Sequence, residues 1–163
     1  VPRSAARPLR YMDRYVTVTQ GEVFYTTELL ARLEGIERGP AGNTSLAAAL
    51  SIAREMPEDA VLVVQETEYT GAGKHANPQL AFAKANGIRV EVGDPKDEVP
   101  GESIILPKHP SLMRAVDADL DHMRQSLIRH AASTVDHAPT KEDIAFLAEE
   151  TKTDEAFVRE ALA

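Results

Sequence analysis

The pattern of apolar and polar positions in the first two thirds of the chain predicts alternating strands and helices. Residues 14–19 (RYVTVT) alternate polar and β-branched positions, which is typical of a short strand. Residues 60–64 (AVLVV) form a continuous apolar run, as expected of a strand buried on both faces of a parallel sheet. Further strands are predicted at 88–92 and at 102–108.

Helical spacing of apolar residues predicts helices between these strands. The first helix covers 20–33, and Gly35 ends it. Asn43 is predicted to be the N-cap of a second, alanine-rich helix, and a third covers 78–86. The resulting order, β-α-α-β-α-β-β, predicts an α/β sheet domain.

The pattern becomes purely helical after Lys108. A helix is predicted over 111–130, and Thr140 with Asp143 resembles a capping box at the start of the next helix. Thr153 is predicted to cap the last helix. We interpret this tail as an element that covers the core, with a subunit contact as the alternative. The predicted division is an N-terminal arm at 1–13, an α/β segment at 14–108 and a helical extension at 109–163.

Composition excludes several classes of function. The chain has 163 residues, 43% of them apolar and 27% charged, as in ordinary globular proteins. Its net charge of −8 argues against nucleic acid as a partner, and no apolar run is long enough to cross a membrane. Cysteine is absent, which fits a cytoplasmic protein, and the five histidines lack the spacing of a metal site. We therefore expect no metal, no nucleic acid and no membrane.

The stretch QETEYTGAGKH, which follows the apolar run, resembles a nucleotide-binding loop only superficially. A phosphate-binding loop needs glycine where Glu68 stands and a hydroxyl residue where His75 stands. Thr70 lies instead at the predicted end of a strand, where ligands of α/β sheets bind. Its hydroxyl is thus a candidate ligand-binding group, although it could equally satisfy its own turn. Glu66 and Glu68, with Lys74 nearby, form either an acid–base group or, more commonly, an exposed charge cluster.

The order of these pieces resembles the fold type II pyridoxal-phosphate enzymes, the group that includes tryptophan synthase β and threonine synthase. The resemblance covers residues 15–74. It consists of the strand YVTVT, a helix ending in EGI, the loop ERGPAGNTSLAAAL and the run AVLVVQETEYTGAGK. It implies the C-terminal part of the large domain of such an enzyme, an open, mainly parallel sheet with flanking helices, followed by an all-helical C-terminal tail.

The same resemblance implies a cofactor, pyridoxal 5′-phosphate, and a set of residues around it. Thr70 corresponds to the residue that hydrogen-bonds the pyridine nitrogen, where a neutral hydroxyl suits an unprotonated ring. The remaining residues would pass the ring edge or form a loop beside it: Gly71, Gly73, Ala41, Gly42 and Asn43. The Schiff-base lysine and the phosphate loop of the family have no match here, so we expect them outside this chain and expect the chain to be inactive alone.

Within that group, the amino-acid sequence is most similar to that of a thiolase of ornithine degradation, along nearly the whole chain. This implies cleavage of 2-amino-4-oxopentanoate by coenzyme A to acetyl-CoA and alanine, within a homo- or hetero-oligomer that contains a small partner subunit. Because the chain begins with Val1, a cut or truncated subunit is expected, completed by the remainder of the cofactor-binding subunit. The alternative is a non-catalytic interaction or regulatory module with the same α/β fold.

Overall fold

A computed structural model describes residues 9–66 and 73–163 of the chain. These residues form two compact units. One consists of Val16–Val116, and the described part of the other consists of residues 9–15 and 117–163. The first unit combines helices with parallel strands and the second is helical, which agrees with the predicted α/β class.

The described elements follow one another along the chain as strands and helices, with 3-10 turns at Pro95–Asp97 and Pro110–Leu112. Their bounds are β1 (Val16–Thr17), α1 (Gln20–Glu34), α2 (Asn43–Ala53), α3 (Asn77–Ala85), β2 (Arg89–Gly93), β3 (Ser103–Pro107), β4 (Val116–Asp117), α4 (Leu120–Ser133), α5 (Lys141–Thr151) and α6 (Glu155–Leu162).

Helix α1 begins and ends at the residues that its local signals predict. The Thr19 hydroxyl accepts a hydrogen bond from the Glu22 amide at 3.2 Å, and the Glu22 carboxylate accepts one from the Thr19 amide at 2.7 Å. This reciprocal capping box satisfies amides that the first turn of the helix leaves without partners. Gly35 ends the helix in the left-handed conformation, with φ of 66°.

Strands β2 and β3 pair in parallel, with Arg89 opposite Ser103 and Gly93 opposite Pro107. Ile104 of β3 is buried against Phe24 of α1 and Ala83 of α3, so helices and strands share one apolar cluster. The predicted strands at 88–92 and 102–108 and the predicted helix at 78–86 are therefore confirmed, with ends that differ by one or two residues.

Helix α2 packs through its small residues, as its composition predicts. Ala47 is fully buried in a cluster with Val23 and Met113. The prediction that Asn43 is the N-cap is wrong, because Gly42 holds that position and Asn43 is the first helical residue. Its side chain turns instead toward three acceptors inside the unit, which outcompete a capping bond.

Two predicted strands differ from the structure. The first is confined to Val16–Thr17, much shorter than the predicted 14–19. The predicted strand at 60–64 is wrong for the structure as described, because these residues belong to neither of the two described sheets. A strand requires a neighbour that accepts and donates its backbone hydrogen bonds, and the described residues provide none beside this run.

The predicted helix at 111–130 is also wrong in its first half. The chain there forms the 3-10 turn Pro110–Leu112 and the short strand β4, and α4 begins only after its N-cap Asp119. The misleading spacing ran through Leu112 and Val116, but Leu112 lies in the 3-10 turn and Val116 lies in β4 with its side chain 58% exposed. Apolar residues of a turn and a short strand thus happened to match a helical period.

The second unit has its own core, formed where α4, α5 and α6 pack together. Ile128, Leu147 and Val158 are buried there. The predicted capping box of Thr140 and Asp143 is confirmed at the start of α5. The last helix is capped by Asp154, not by Thr153, because its carboxylate accepts a hydrogen bond from the Phe157 amide at 2.7 Å.

Candidate functional site

The loop before α2 lies beside the end of the apolar run. The Ser45 hydroxyl, in the first turn of α2, donates a hydrogen bond to the Gln65 carbonyl at 2.9 Å. This bond links two of the segments that the family resemblance predicts to lie at a ligand, the loop of Ala41, Gly42 and Asn43 and the stretch that starts at Gln65. The structure therefore brings together segments that lie about twenty residues apart in sequence.

Asn43 is the structural centre of that loop. Its side chain is fully buried, and its amide nitrogen is within 3.2–3.3 Å of the Thr27 hydroxyl and of the carbonyls of Arg38 and Gly39. These three acceptors commit both amide hydrogens to the protein. The amide oxygen is buried without a hydrogen-bond partner among the described residues. Asn43 thus shapes the loop and leaves one acceptor for a ligand or water.

The other end of the stretch, at Lys74 and His75, is held by acidic residues of α1 and the loop after it. The Lys74 ammonium lies 3.0 Å from a Glu37 carboxylate oxygen. The His75 ring lies between two carboxylates, with Nδ1 3.4 Å from Glu28 and Nε2 3.6 Å from Glu37. The hydrogen bond from Lys74 lowers the pKa of Glu37 below its ordinary value.

Glu28 continues this attachment into the backbone, because its carboxylate also accepts a hydrogen bond from the Ala76 amide at 2.9 Å. Neither Glu28 nor Glu37 was predicted to belong to this region. Each belongs to a long-range contact, so no local spacing could have revealed it.

Of the six residues that the family resemblance predicts at the cofactor, four lie in the described part of the chain and two do not. Ala41 is exposed, Gly42 and Asn43 are buried, and Gly73 is half-buried with φ of 117°, a conformation that favours glycine. Among the described residues, the nearest atom to a methyl group added at Gly73 would be the His75 carbonyl oxygen at 3.9 Å. Thr70 and Gly71 lie outside the described residues.

A concave feature also lies within the Val16–Val116 unit. It is a cavity of about 840 Å³, a size suited to a small molecule. The start of α1, helix α3 and the loop between β2 and β3 line it, with Phe82, Ile88 and Pro100 among the apolar residues.

The charged groups lining this cavity are engaged with protein partners. The Glu98 carboxylate accepts hydrogen bonds from the Gln20, Gly21 and Ile105 amides at 2.8–3.0 Å and so joins α1 to β3. At the rim, Arg114 donates to Asp94 at 2.7 Å, and this hydrogen bond is the main reason that the pKa of Asp94 lies far below its ordinary value. These charged groups of the cavity wall thus connect neighbouring elements of the fold.

Two features that the described residues lack bear on the kind of site. Across residues 9–66 and 73–163, no group of three or more histidine, aspartate and glutamate side chains is arranged to hold a metal ion. No helix in this part of the chain is long and apolar enough to cross a membrane.

The fold and the site define an α/β protein with a candidate ligand loop at the start of a helix. The chain is 62% identical over 160 residues to the 2-amino-4-ketopentanoate thiolase beta subunit of Acetoanaerobium sticklandii, and the match covers 98% of this chain and 34% of that relative. A second protein of the same name, from an unknown prokaryotic organism, is 63% identical over 160 residues and is matched over 34% of its length. The chain thus spans about a third of the length of these relatives. It matches no protein-family model and no solved structure.

Proposed function

We propose that this chain is part of a thiolase that cleaves 2-amino-4-oxopentanoate with coenzyme A, in ornithine degradation. The observation that carries the proposal is the identity of 62–63% along almost the whole chain to two proteins named as beta subunits of such an enzyme. In this reaction the bond between C3 and C4 breaks, the coenzyme A sulfur bonds to C4, and the thiol proton ends on C3. The products are acetyl-CoA and alanine.

We propose pyridoxal 5′-phosphate as the cofactor, with its ring beside the loop before α2. The space that the described residues leave next to Gly73 and the buried Asn43 amide oxygen support this placement. When bound, the cofactor supplies an electron sink for the amino-acid substrate. The Thr70 hydroxyl would donate a hydrogen bond to the unprotonated pyridine nitrogen, while Gly71 and Gly73 leave space for the ring.

The chain's own residues would then position the cofactor loop rather than carry the covalent chemistry. Asn43 fixes the loop of Ala41 and Gly42 through its three acceptors. Lys74 is engaged with Glu37, which argues against this lysine as the covalent anchor. The anchoring lysine would belong to the remainder of the subunit, and a small partner subunit would complete the enzyme.

The test uses a chimera in which these 163 residues replace the matching region of the A. sticklandii beta subunit, co-expressed with the other subunit of that enzyme. We expect the chimera to bind pyridoxal phosphate, measured by its absorbance, and to form acetyl-CoA from coenzyme A and 2-amino-4-oxopentanoate. Thr70→Ala should weaken cofactor binding about tenfold, the value of one hydrogen bond, whereas Thr70→Ser should retain it.

Two results would overturn the proposal. Equal cofactor affinity in Thr70→Ala and the unsubstituted chimera would remove Thr70 from the cofactor site. A chimera that assembles with the other subunit equally well with and without cofactor, and forms no acetyl-CoA, would favour the non-catalytic interaction module. Light scattering during size-exclusion chromatography measures that assembly.

A further inference from the structure

One side of helix α3 forms a wall of the cavity in the Val16–Val116 unit. Gln79, Phe82 and Ala83 line the cavity, as does Asn86, the residue that directly follows the helix. Their spacing of three and four residues places them on the same side of α3. This side therefore presents an aromatic ring between two carboxamides to the cavity.

The Phe82 ring is accessible to a ligand. Phe82 is 72% exposed although it lines the cavity, whereas Ile104, another residue of the lining, is 3% exposed. Phe82 also belongs to none of the apolar clusters formed by the described residues. Its ring is thus available for contacts inside the cavity, and its replacement is not expected to disturb a core.

The charged groups of the lining are already engaged. They are two carboxylates and two cations, so their net charge is zero: Glu22, Glu98, Lys96 and Arg114. Both cations contact Asp94, at 3.3 and 2.7 Å. Both carboxylates accept hydrogen bonds from backbone amides, and Glu98 takes those at the start of α1 that could otherwise bind an anion. The part of a ligand that lies inside the cavity is therefore expected to be uncharged.

The carboxamides of α3 have hydrogen-bonding groups to offer. The Gln79 side chain has no hydrogen-bond partner in the described part of the chain. The Asn86 amide nitrogen donates to the Phe82 carbonyl at 2.8 Å, which leaves the amide oxygen as an acceptor. A carboxamide matches the edge of adenine, where an amino group stands beside a ring nitrogen, and an aromatic side chain stacks on the face of a base.

We propose that this cavity binds the adenine base of coenzyme A, stacked on Phe82 and hydrogen-bonded by Gln79. The choice of coenzyme A rests on the proposed function, whereas the choice of an adenine base rests on the cavity. The volume of about 840 Å³ is sufficient for a base with its ribose. The phosphates would lie at the mouth in solvent, because the cations of the lining are engaged with Asp94.

The pantetheine arm of coenzyme A fits this wall less well. It is also uncharged, but it has no flat ring to stack on Phe82 and no amino group beside a ring nitrogen for Gln79. The two ends of coenzyme A can be supplied as separate molecules, adenosine and pantetheine. Their binding therefore shows which end the cavity accepts.

The experiment measures binding of adenosine, pantetheine and coenzyme A to the chimera described above by isothermal titration calorimetry. Adenosine and coenzyme A should bind in competition with each other, and pantetheine should not displace adenosine. Phe82→Leu keeps an apolar side chain but removes the flat ring, so it should weaken adenosine binding about tenfold, whereas Phe82→Tyr should retain it. Gln79→Leu should weaken adenosine binding about fivefold. Lys84→Ala is the control, because Lys84 lies on α3 outside the lining and should change nothing.

Adenosine affinity that is unchanged in both Phe82→Leu and Gln79→Leu would overturn the proposal. So would pantetheine that binds and displaces adenosine, since the arm would then be the occupant. Urea midpoints verify that the variants are folded, and Gln79→Leu decides the outcome if Phe82→Leu is unstable.

The same titrations separate this inference from the proposed function. A chimera that binds adenosine as described but forms no acetyl-CoA would contradict only the thiolase reaction. A chimera that forms acetyl-CoA, and whose KM for coenzyme A is the same in Phe82→Leu and Gln79→Leu as without substitution, would contradict only the adenine site.

Discussion

Gly21 offers a prediction in which two physical effects have opposite signs. It is the second residue of α1, where alanine would ordinarily stabilise a helix by up to about 1 kcal/mol relative to glycine. A methyl group at this position, however, would lie 1.9 Å from the Ile105 carbonyl oxygen and 2.8 Å from a Glu98 carboxylate oxygen. We therefore expect Gly21→Ala to destabilise the protein.

The magnitude follows from the bonds that the methyl group would separate. Real contacts of this kind are essentially never below 3.0 Å, so α1 and β3 must move apart by more than 1 Å. The hydrogen bonds that Glu98 accepts from the Gln20, Gly21 and Ile105 amides span that gap. Each bond to a charged group contributes about 1.5–3 kcal/mol, so losing one or two outweighs the gain in helix propensity. The expected net loss is about 2–4 kcal/mol.

The assay is urea unfolding followed by far-ultraviolet circular dichroism. The control is Gly101→Ala, because Gly101 has φ of 82° and no atom in the described part of the chain lies within 4 Å of an added methyl group. Its cost is limited to the backbone strain of a left-handed residue, about 1–2 kcal/mol. A Gly21→Ala protein as stable as the unsubstituted chain, or more stable, would show that the close approach of α1 to β3 is not present in solution.

Three further predictions rest on single side chains. Asn43→Ala should lower the free energy of unfolding by about 2 kcal/mol in the same urea assay, because it leaves buried acceptors without a donor, whereas Thr44→Ala on the exposed side should change it little. Thr140→Ala should cost about 1 kcal/mol through loss of the α5 cap, and Lys141→Ala, one position further, should stay within about 0.5 kcal/mol. Because the folded-state pKa of Asp94 is depressed, the stability from its contact with Arg114 is present above the ordinary carboxyl pKa and is lost as pH falls toward the depressed value. Urea midpoints of Arg114→Gln and the unsubstituted chain should therefore differ most above about pH 4 and converge in stronger acid, while Arg89→Gln, at an exposed pair, should differ little at any pH.

The success of sequence-based prediction in this chain depends on how local each signal is. The helix over 20–33 and its end at Gly35 were predicted, and the structure agrees to within one residue, whereas the equally local capping box of Thr19 and Glu22 was not predicted. The capping box at Thr140 is equally local and was also predicted. The apolar period through Leu112 and Val116 misled the prediction because Leu112 lies in a 3-10 turn and Val116 lies in the short strand β4, with its side chain exposed.

In the candidate site, too, local signals could be predicted from the sequence and long-range contacts could not. The family resemblance predicted the loop at Asn43 and the stretch ending at Lys74 as neighbours of one ligand, and this stays a prediction. The hydrogen bond between Ser45 and Gln65 joins the first turn of α2 to the start of that stretch. The partners themselves could not be predicted, because Glu37 and Glu98 act across dozens of residues and no pattern in a single sequence encodes such a pair.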